Sequence, residues 1–276
     1  MTTLLIQSQQ IPLSITWEKL PPDFVLPEEP VESNLQPLLA AALRESLELA
    51  GLILESVIIA TNFGICATVD RKTVVKAPDW VYIPAVEPFP NGETRRSYTP
   101  RAEGDLPTIV MEFISATDGG EYSVNPHYPY GKWYFYEQIL KVPTYVIFHP
   151  QLQVLEVYHL LDEKYQLAAP DENNRFWIES LGLFLGTWIG AKADYEGCWL
   201  RWWNPSGDLV LWGGELLELE RQQVAEERQR AQEERQRAQE ERQRAQEERQ
   251  RAEQAEEKNV RLAERLRAMG VDPDAM

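Results

Sequence analysis

Residues 107–115 read PTIVMEFIS, a short apolar run rich in β-branched side chains with one carboxylate, Glu112, in its middle. A run of this kind is the pattern of a strand buried on both faces. A carboxylate inside such a strand is costly unless it is paired, coordinated to a cation or kept protonated. What Glu112 faces is therefore the question the rest of the chain has to answer.

The elements on either side supply a fold class. Residues 32–51, ESNLQPLLAAALRESLELAG, place Leu35, Leu38, Leu39, Ala42, Leu43 and Leu47 at three- and four-residue intervals, which predicts an amphipathic helix. Ser33 or Asn34 is placed to cap it and Gly51 to end it. Three β runs follow, LILESVIIA, FGICATV and TVVKAPDWVYIP, with turns expected at Asn62 and at Asp70, Arg71 and Lys72. Residues 85–106 read as a loop, and the strand with Glu112 comes next. A second loop leads to GKWYFYEQILK, residues 131–141, expected to be a helix mostly buried on one side. TYVIFHP is another buried strand, and residues 152–170 alternate as a hairpin turning at Asp162, Glu163 and Lys164. Residues 176–189 and 199–212 close the body as β-rich pieces. This order predicts an α/β domain with a mixed-direction sheet flanked by helices.

Composition bounds the function. Of 276 residues 43% are apolar and nine are Trp, so a substantial core is available. The longest apolar runs are too short for a membrane-spanning helix. The N-terminus lacks the basic and long apolar regions of a secretory signal, so Cys66 and Cys198 are expected reduced in a cytoplasmic protein, although one disulfide is the alternative. The net charge is −17, of which the first 214 residues carry −13. That argues against a broad basic face gripping nucleic acid and is compatible with a cation site.

Three divisions are expected: an extended, proline- and acid-rich arm over residues 1–30, a body over 31–214, and a charged helical tail over 215–276. In the tail, the heptad AEERQRA/QEERQRA repeats four times between Ala225 and Ala252. One heptad seam runs Leu217, Val224, Ala231, Ala238, Ala245, Ala252, Asn259 and Leu266, and the position three further on is glutamate until Ala255, Leu262 and Met269. A coiled coil wants apolar residues at both positions. The middle therefore reads as a solvated helix supported by i,i+4 pairs such as Glu233 and Arg237, and the apolar ends are the places for self-association as a dimer.

Asp79 and Glu112 are the pair with chemistry to offer. Each belongs to an apolar strand and 33 residues separate them, so neighbouring strands would bring both carboxylates to one divalent cation. Spacing alone leaves the commoner alternatives open: Asp after Pro is a turn residue, and a strand Glu can pair with lysine. His127, His149 and His159 share no helix-face spacing, and no phosphate loop, nucleophile elbow or zinc motif is present. Trp199, Trp202, Trp203 and Trp212 suggest core packing ahead of base stacking.

Four pieces, the helix opening at Glu32, Ser33 and Asn34, the APDW around Asp79, the VMEFIS around Glu112 and GKWYFYEQILKVPTYVIFHP from Gly131, resemble the Uma-type family of restriction endonucleases over about residues 30–160. That family belongs to the PD-(D/E)xK nuclease superfamily. The resemblance implies a restriction-endonuclease-like sheet core, DNA as substrate, Mg²⁺ or Mn²⁺ as cofactor, and Asp79 and Glu112 as metal ligands. The superfamily's lysine position, two residues after the glutamate, is Ile114 here. The family instead carries a lysine on the following helix four residues before a tyrosine, which matches Lys132 and Tyr136. Glu32 matches an acidic residue of the first helix that adds a ligand to metal or water. The expectation is metal-dependent hydrolysis of DNA, with an inactive nuclease-fold scaffold as the alternative.

Overall fold

A computed structural model describes residues 33–88, 94–114 and 120–269. The arm of residues 1–30 and Glu32 lie outside the described residues. The chain divides into two units, one ending at Val210 and one beginning at Leu211.

The first unit opens with α1, Leu35–Leu49, whose Leu35, Leu39, Leu43 and Leu47 are buried along one stripe. Gly51 ends it in the left-handed conformation (φ +70°), and the amide of Leu52 closes the turn on Leu47 O at 2.9 Å. The expected side-chain cap is absent: Asn34 has helical backbone angles and its side chain makes no cap hydrogen bond.

Six strands then build the main sheet in the order β1 (Ile58–Ala60), β4 (Trp80–Ile83), β6 (Ile109–Phe113), β7 (Thr144–His149), β8 (Val154–Leu161) and β9 (Lys164–Leu167). β6 and β7 are parallel and the other neighbours antiparallel, so the sheet is mixed, as expected. The run LILESVIIA contributes only its last three residues. A separate sheet is formed by β3 (Lys72–Lys76), β2 (Gly64–Val69) and β5 (Ser97–Tyr98), the last lying in a segment read as loop. Asp70 and Arg71 turn β2 into β3 with positive φ at both, as Asp162 and Glu163 do between β8 and β9. A third sheet, β10 (Phe176–Ile178), β11 (Leu183–Lys192) and β12 (Tyr195–Trp203), forms the closing pieces.

β6 sits between the two sides of the main sheet, and every residue in it is buried. By the two-residue alternation of a strand, Val110, Glu112 and Ile114 share one side and Ile109, Met111 and Phe113 the other. Val110 and Ile114 join a cluster with Val81, Ile83, Tyr145, Phe135, Tyr136 and Ile65. On the opposite side Trp80 meets Trp202 of β12, ring centroids 6.2 Å apart, and the Trp202 indole donates to Leu43 O of α1 at 3.2 Å. Trp199, Trp202, Trp203 and Trp212 are all buried, which places them in packing. Cys66 and Cys198 are both free thiols.

The second unit holds one long helix, α3, Gly213–Ala268. Glu215 reaches back to the Trp212 amide at 2.8 Å, half of a capping box. Along the helix, polar pairs four apart such as Gln229–Glu233 and Arg230–Glu226 link exposed side chains. Leu217, Val224, Leu262 and Met269 are exposed on this single chain. No described helix is long and apolar enough to cross a membrane.

Candidate active site

Glu112 enters from β6, fully buried, on the side that faces the helical segment after the second loop. That segment starts as one α turn, α2 (Lys132–Tyr134), and continues as a wider π turn over Phe135–Leu140. The expected helix is present, then, but it is α-helical only in its first turn and underwound beyond it. Lys141 closes it in the left-handed conformation (φ +53°). Two side chains four residues apart in this segment grasp the same carboxylate. Lys132 Nζ donates to Glu112 Oε2 at 3.0 Å, and Tyr136 Oη donates to Oε1 at 3.1 Å.

Asp79 comes from the residue before β4. In the β4–β6 register Trp80 faces Met111, and continuing it by one residue sets Asp79 opposite Glu112. The Phe113 amide donates to Asp79 Oδ2 at 2.6 Å, so the aspartate is tied to the strand that carries the glutamate. Gln36 of α1 donates to the Phe113 carbonyl at 2.7 Å and, with Pro37, Ala40, Thr61 and Asn62, borders a cleft of about 30 Å³ beside Asp79. The structure thus brings Asp79, Glu112 and Lys132 together.

Two further groups stand here: Glu121, which the sequence offers only as a loop acid able to approach the site, and Lys76, which it does not offer. Glu121, in a short 3₁₀ turn (Gly120–Tyr122), is buried with Oε1 3.5 Å from Lys132 Nζ, and its Oε2 has no hydrogen-bond partner among the described residues. Lys76, at the end of β3, feels both Lys132 and Glu112. A lysine three residues before the PD aspartate was the available signal for it.

Burial decides the electrostatics. It pushes the Glu112 carboxyl up to about 8, against the pull of Lys132 and with help from the charges of Asp79 and Glu121. Burial works against the Lys132 ammonium too, but Glu112, Glu121 and Asp79 together hold its pKa above the usual lysine value. Burial, then the Glu112 charge, raises Tyr136 well above an ordinary tyrosine, so its hydroxyl remains a donor. Burial and the like charge of Lys132 lower Lys76, while Glu112 opposes them.

The donor set suits a hard cation. Asp79 and Glu112 offer carboxylate oxygens on neighbouring strands, and each such oxygen keeps a second lone pair beside its hydrogen bond. The orphaned Glu121 Oε2 adds unspent acceptor capacity nearby. Among the described residues no three His, Cys, Asp or Glu converge on one point. Water and substrate oxygens would fill the remaining positions, which is how Mg²⁺ is commonly held.

No curated protein matches the chain. A family model does, over residues 24–192, and it spans the helix, both carboxylates and the lysine just described. The chain belongs to the Uma2 family, whose description reads "Putative restriction endonuclease".

Proposed function

We propose that the protein is a metal-dependent DNA endonuclease that hydrolyses phosphodiester bonds. The observation that carries this reading is the Lys132 ammonium held 3.0 Å from the buried Glu112, with Asp79 anchored to the same strand. Family membership supports a nuclease-like function. Asp79 and Glu112 would hold Mg²⁺ or Mn²⁺, which when bound lowers the pKa of a coordinated water and offsets charge on the scissile phosphate. Tyr136 fixes the rotation of the Glu112 carboxylate. Lys132, kept protonated, donates to a phosphate oxygen or orients the attacking water, and so stabilises the negative charge of the pentacovalent state. Hydrolysis then adds the water oxygen to phosphorus as the bond to the leaving sugar oxygen breaks.

Asp79→Ala and Glu112→Ala should each abolish Mg²⁺-dependent cleavage while circular dichroism shows an intact fold. A wild type that cleaves no form of DNA with Mg²⁺ or Mn²⁺ would end this reading. The alternative is a nuclease-fold scaffold assembled through α3, favoured by the exposed Leu217, Val224, Leu262 and Met269. It requires that calorimetry detect no Mg²⁺ site sensitive to Glu112→Gln. Sedimentation with and without residues 215–276 tests dimerisation apart from activity.

A further inference from the structure

Beside the Glu112–Lys132 pair runs a line of tyrosines that the chemistry above does not use. Tyr134 follows Lys132 by two residues and stacks on Tyr130, with centroids 5.8 Å apart and planes 12° from parallel. Tyr130 meets Tyr128 edge-on at 6.4 Å, and Tyr128 is 55% exposed. Lys72 Nζ lies 4.9 Å from the centre of the Tyr128 ring. Lys72, Val74 and Lys76 fall on one side of β3 by the strand alternation. Val74 is buried in the core cluster, Lys72 reaches Tyr128, and Lys76 is within the field of Lys132 and Glu112. Four residues of strand separate the two lysines by about 13 Å. Residues 71–76, RKTVVK, hold three cations and no acid, in a body whose net charge is strongly negative.

Lysines on an edge strand commonly serve to discourage strand pairing, and β3 is an edge of its sheet. That explanation calls for side chains pointing into solvent. Lys72, although exposed, has its ammonium over an aromatic ring, and Lys76 is half-buried. Tyrosine faces interleaved with cations form the recurring platform for nucleic acid whose bases are unstacked. Bases inside a paired duplex have their faces covered by their neighbours.

We propose that Tyr128, Tyr130 and Tyr134, with Lys72 and Lys76, form a docking path for an unpaired stretch of DNA leading to the Glu112–Lys132 pair. A base lies on the exposed Tyr128 ring, the Tyr130–Tyr134 stack backs that ring, and phosphates run along β3. The identity of the polymer rests on the nuclease reading; the path itself is carried by the ring and lysine geometry. Its consequence is substrate class: DNA with a single-stranded or locally opened segment, not a continuous duplex.

The test uses the full chain in EDTA, so that cleavage does not interfere, and fluorescence anisotropy with one labelled oligonucleotide, single-stranded or annealed as a blunt duplex. The single strand should bind about tenfold or more tightly than the duplex, Tyr128→Ala should lose about tenfold, and Tyr128→Phe should retain affinity. Lys72→Ala should lower the slope of log affinity against log salt by about 0.7. Tighter duplex binding, or a Tyr128→Ala protein matching wild type, overturns the proposal. A wild type that binds single strands through Tyr128 yet cleaves nothing overturns the nuclease reading and leaves the path standing. Duplex cleavage unaffected by Tyr128→Ala does the reverse.

Discussion

Lys132 Nζ and Glu112 Oε2 stand 3.0 Å apart, joining the start of α2 to the middle of a strand buried on both sides. The lysine side chain is 27% exposed and the glutamate side chain 1%, so the pair has one end at the surface and one in the core. A positive charge held at a fixed point is what a developing phosphate charge requires. Lys132→Met should therefore slow single-turnover cleavage by about 10²–10³-fold, the loss seen when one preorganised donor is removed. A variant that cleaves as fast as wild type would show that Lys132 serves only to neutralise Glu112.

The buried glutamate also sets a pH dependence. Its carboxyl is raised from the ordinary 4.5 to about 8, burial being the main cause. Between those values the folded, metal-free chain holds a proton that the unfolded chain has released. Stability contributed by this group is thus complete below about pH 4.5 and is lost as pH rises through about 8, by at most ~1.4 kcal/mol per pH unit. Urea denaturation across this window should show the decline in wild type. Glu112→Gln, which keeps the shape and removes the titration, should flatten it. An equally steep decline in the variant would place the titrating group elsewhere.

Much of this site was legible in residue order, for physical reasons that differ by residue. Glu112 was conspicuous because a lone acid in an apolar strand has a desolvation cost to explain, and Ile109–Phe113 is indeed buried throughout. Lys132 and Tyr136 were legible through their spacing of four and the family resemblance, and both contact Glu112. Ile114 also becomes intelligible. It shares the Glu112 side of β6 and is 5% exposed within the core cluster, so the strand position belongs to packing and the cation comes from the helix. Lys76 was not legible and Glu121 was legible only as a loop acid within reach of the strand, because loop and sheet geometry bring them in, and no periodicity records that. The π turn was hidden as well, since Phe135–Leu140 carries the same apolar spacing an α-helix would. Asn34 looked like a cap, but the preference for capping residues is statistical and here its side chain is not used.

Metal binding should be coupled to proton release. Holding a cation needs Glu112 ionised, whereas the metal-free carboxyl keeps its proton up to about pH 8. Mg²⁺ affinity should accordingly rise with pH, by up to about tenfold per unit below that value, and level off above it. Titration calorimetry in buffers of different ionisation enthalpy should detect a proton released at pH 7 and none at pH 9, about one unit to each side of the carboxyl. Buffer-independent heats at pH 7 would mean that the cation is held without Glu112.

The position of Lys132 depends on the glycine before it. A Cβ at Gly131 would stand 2.6 Å from the Ser123 carbonyl carbon and closer still to its oxygen, and backbone cannot swing aside as a side chain does. The same segment is pinned by the Gly131 amide donating to Asn125 O at 3.0 Å and by Phe135 donating back to Gly131 O at 3.0 Å. Gly131→Ala should push the loop of residues 123–131 and the first turn of α2 apart, costing about 1–3 kcal/mol of stability as an overpacked site does. Because Lys132 moves with that turn, cleavage should fall by more than the lost folded fraction explains. Gly120→Ala is the control, since a Cβ there meets nothing within 4 Å. Thermal melts and single-turnover rates on both variants separate the two effects. A Gly131→Ala protein as stable and active as the control would show that the close approach to Ser123 does not position the lysine.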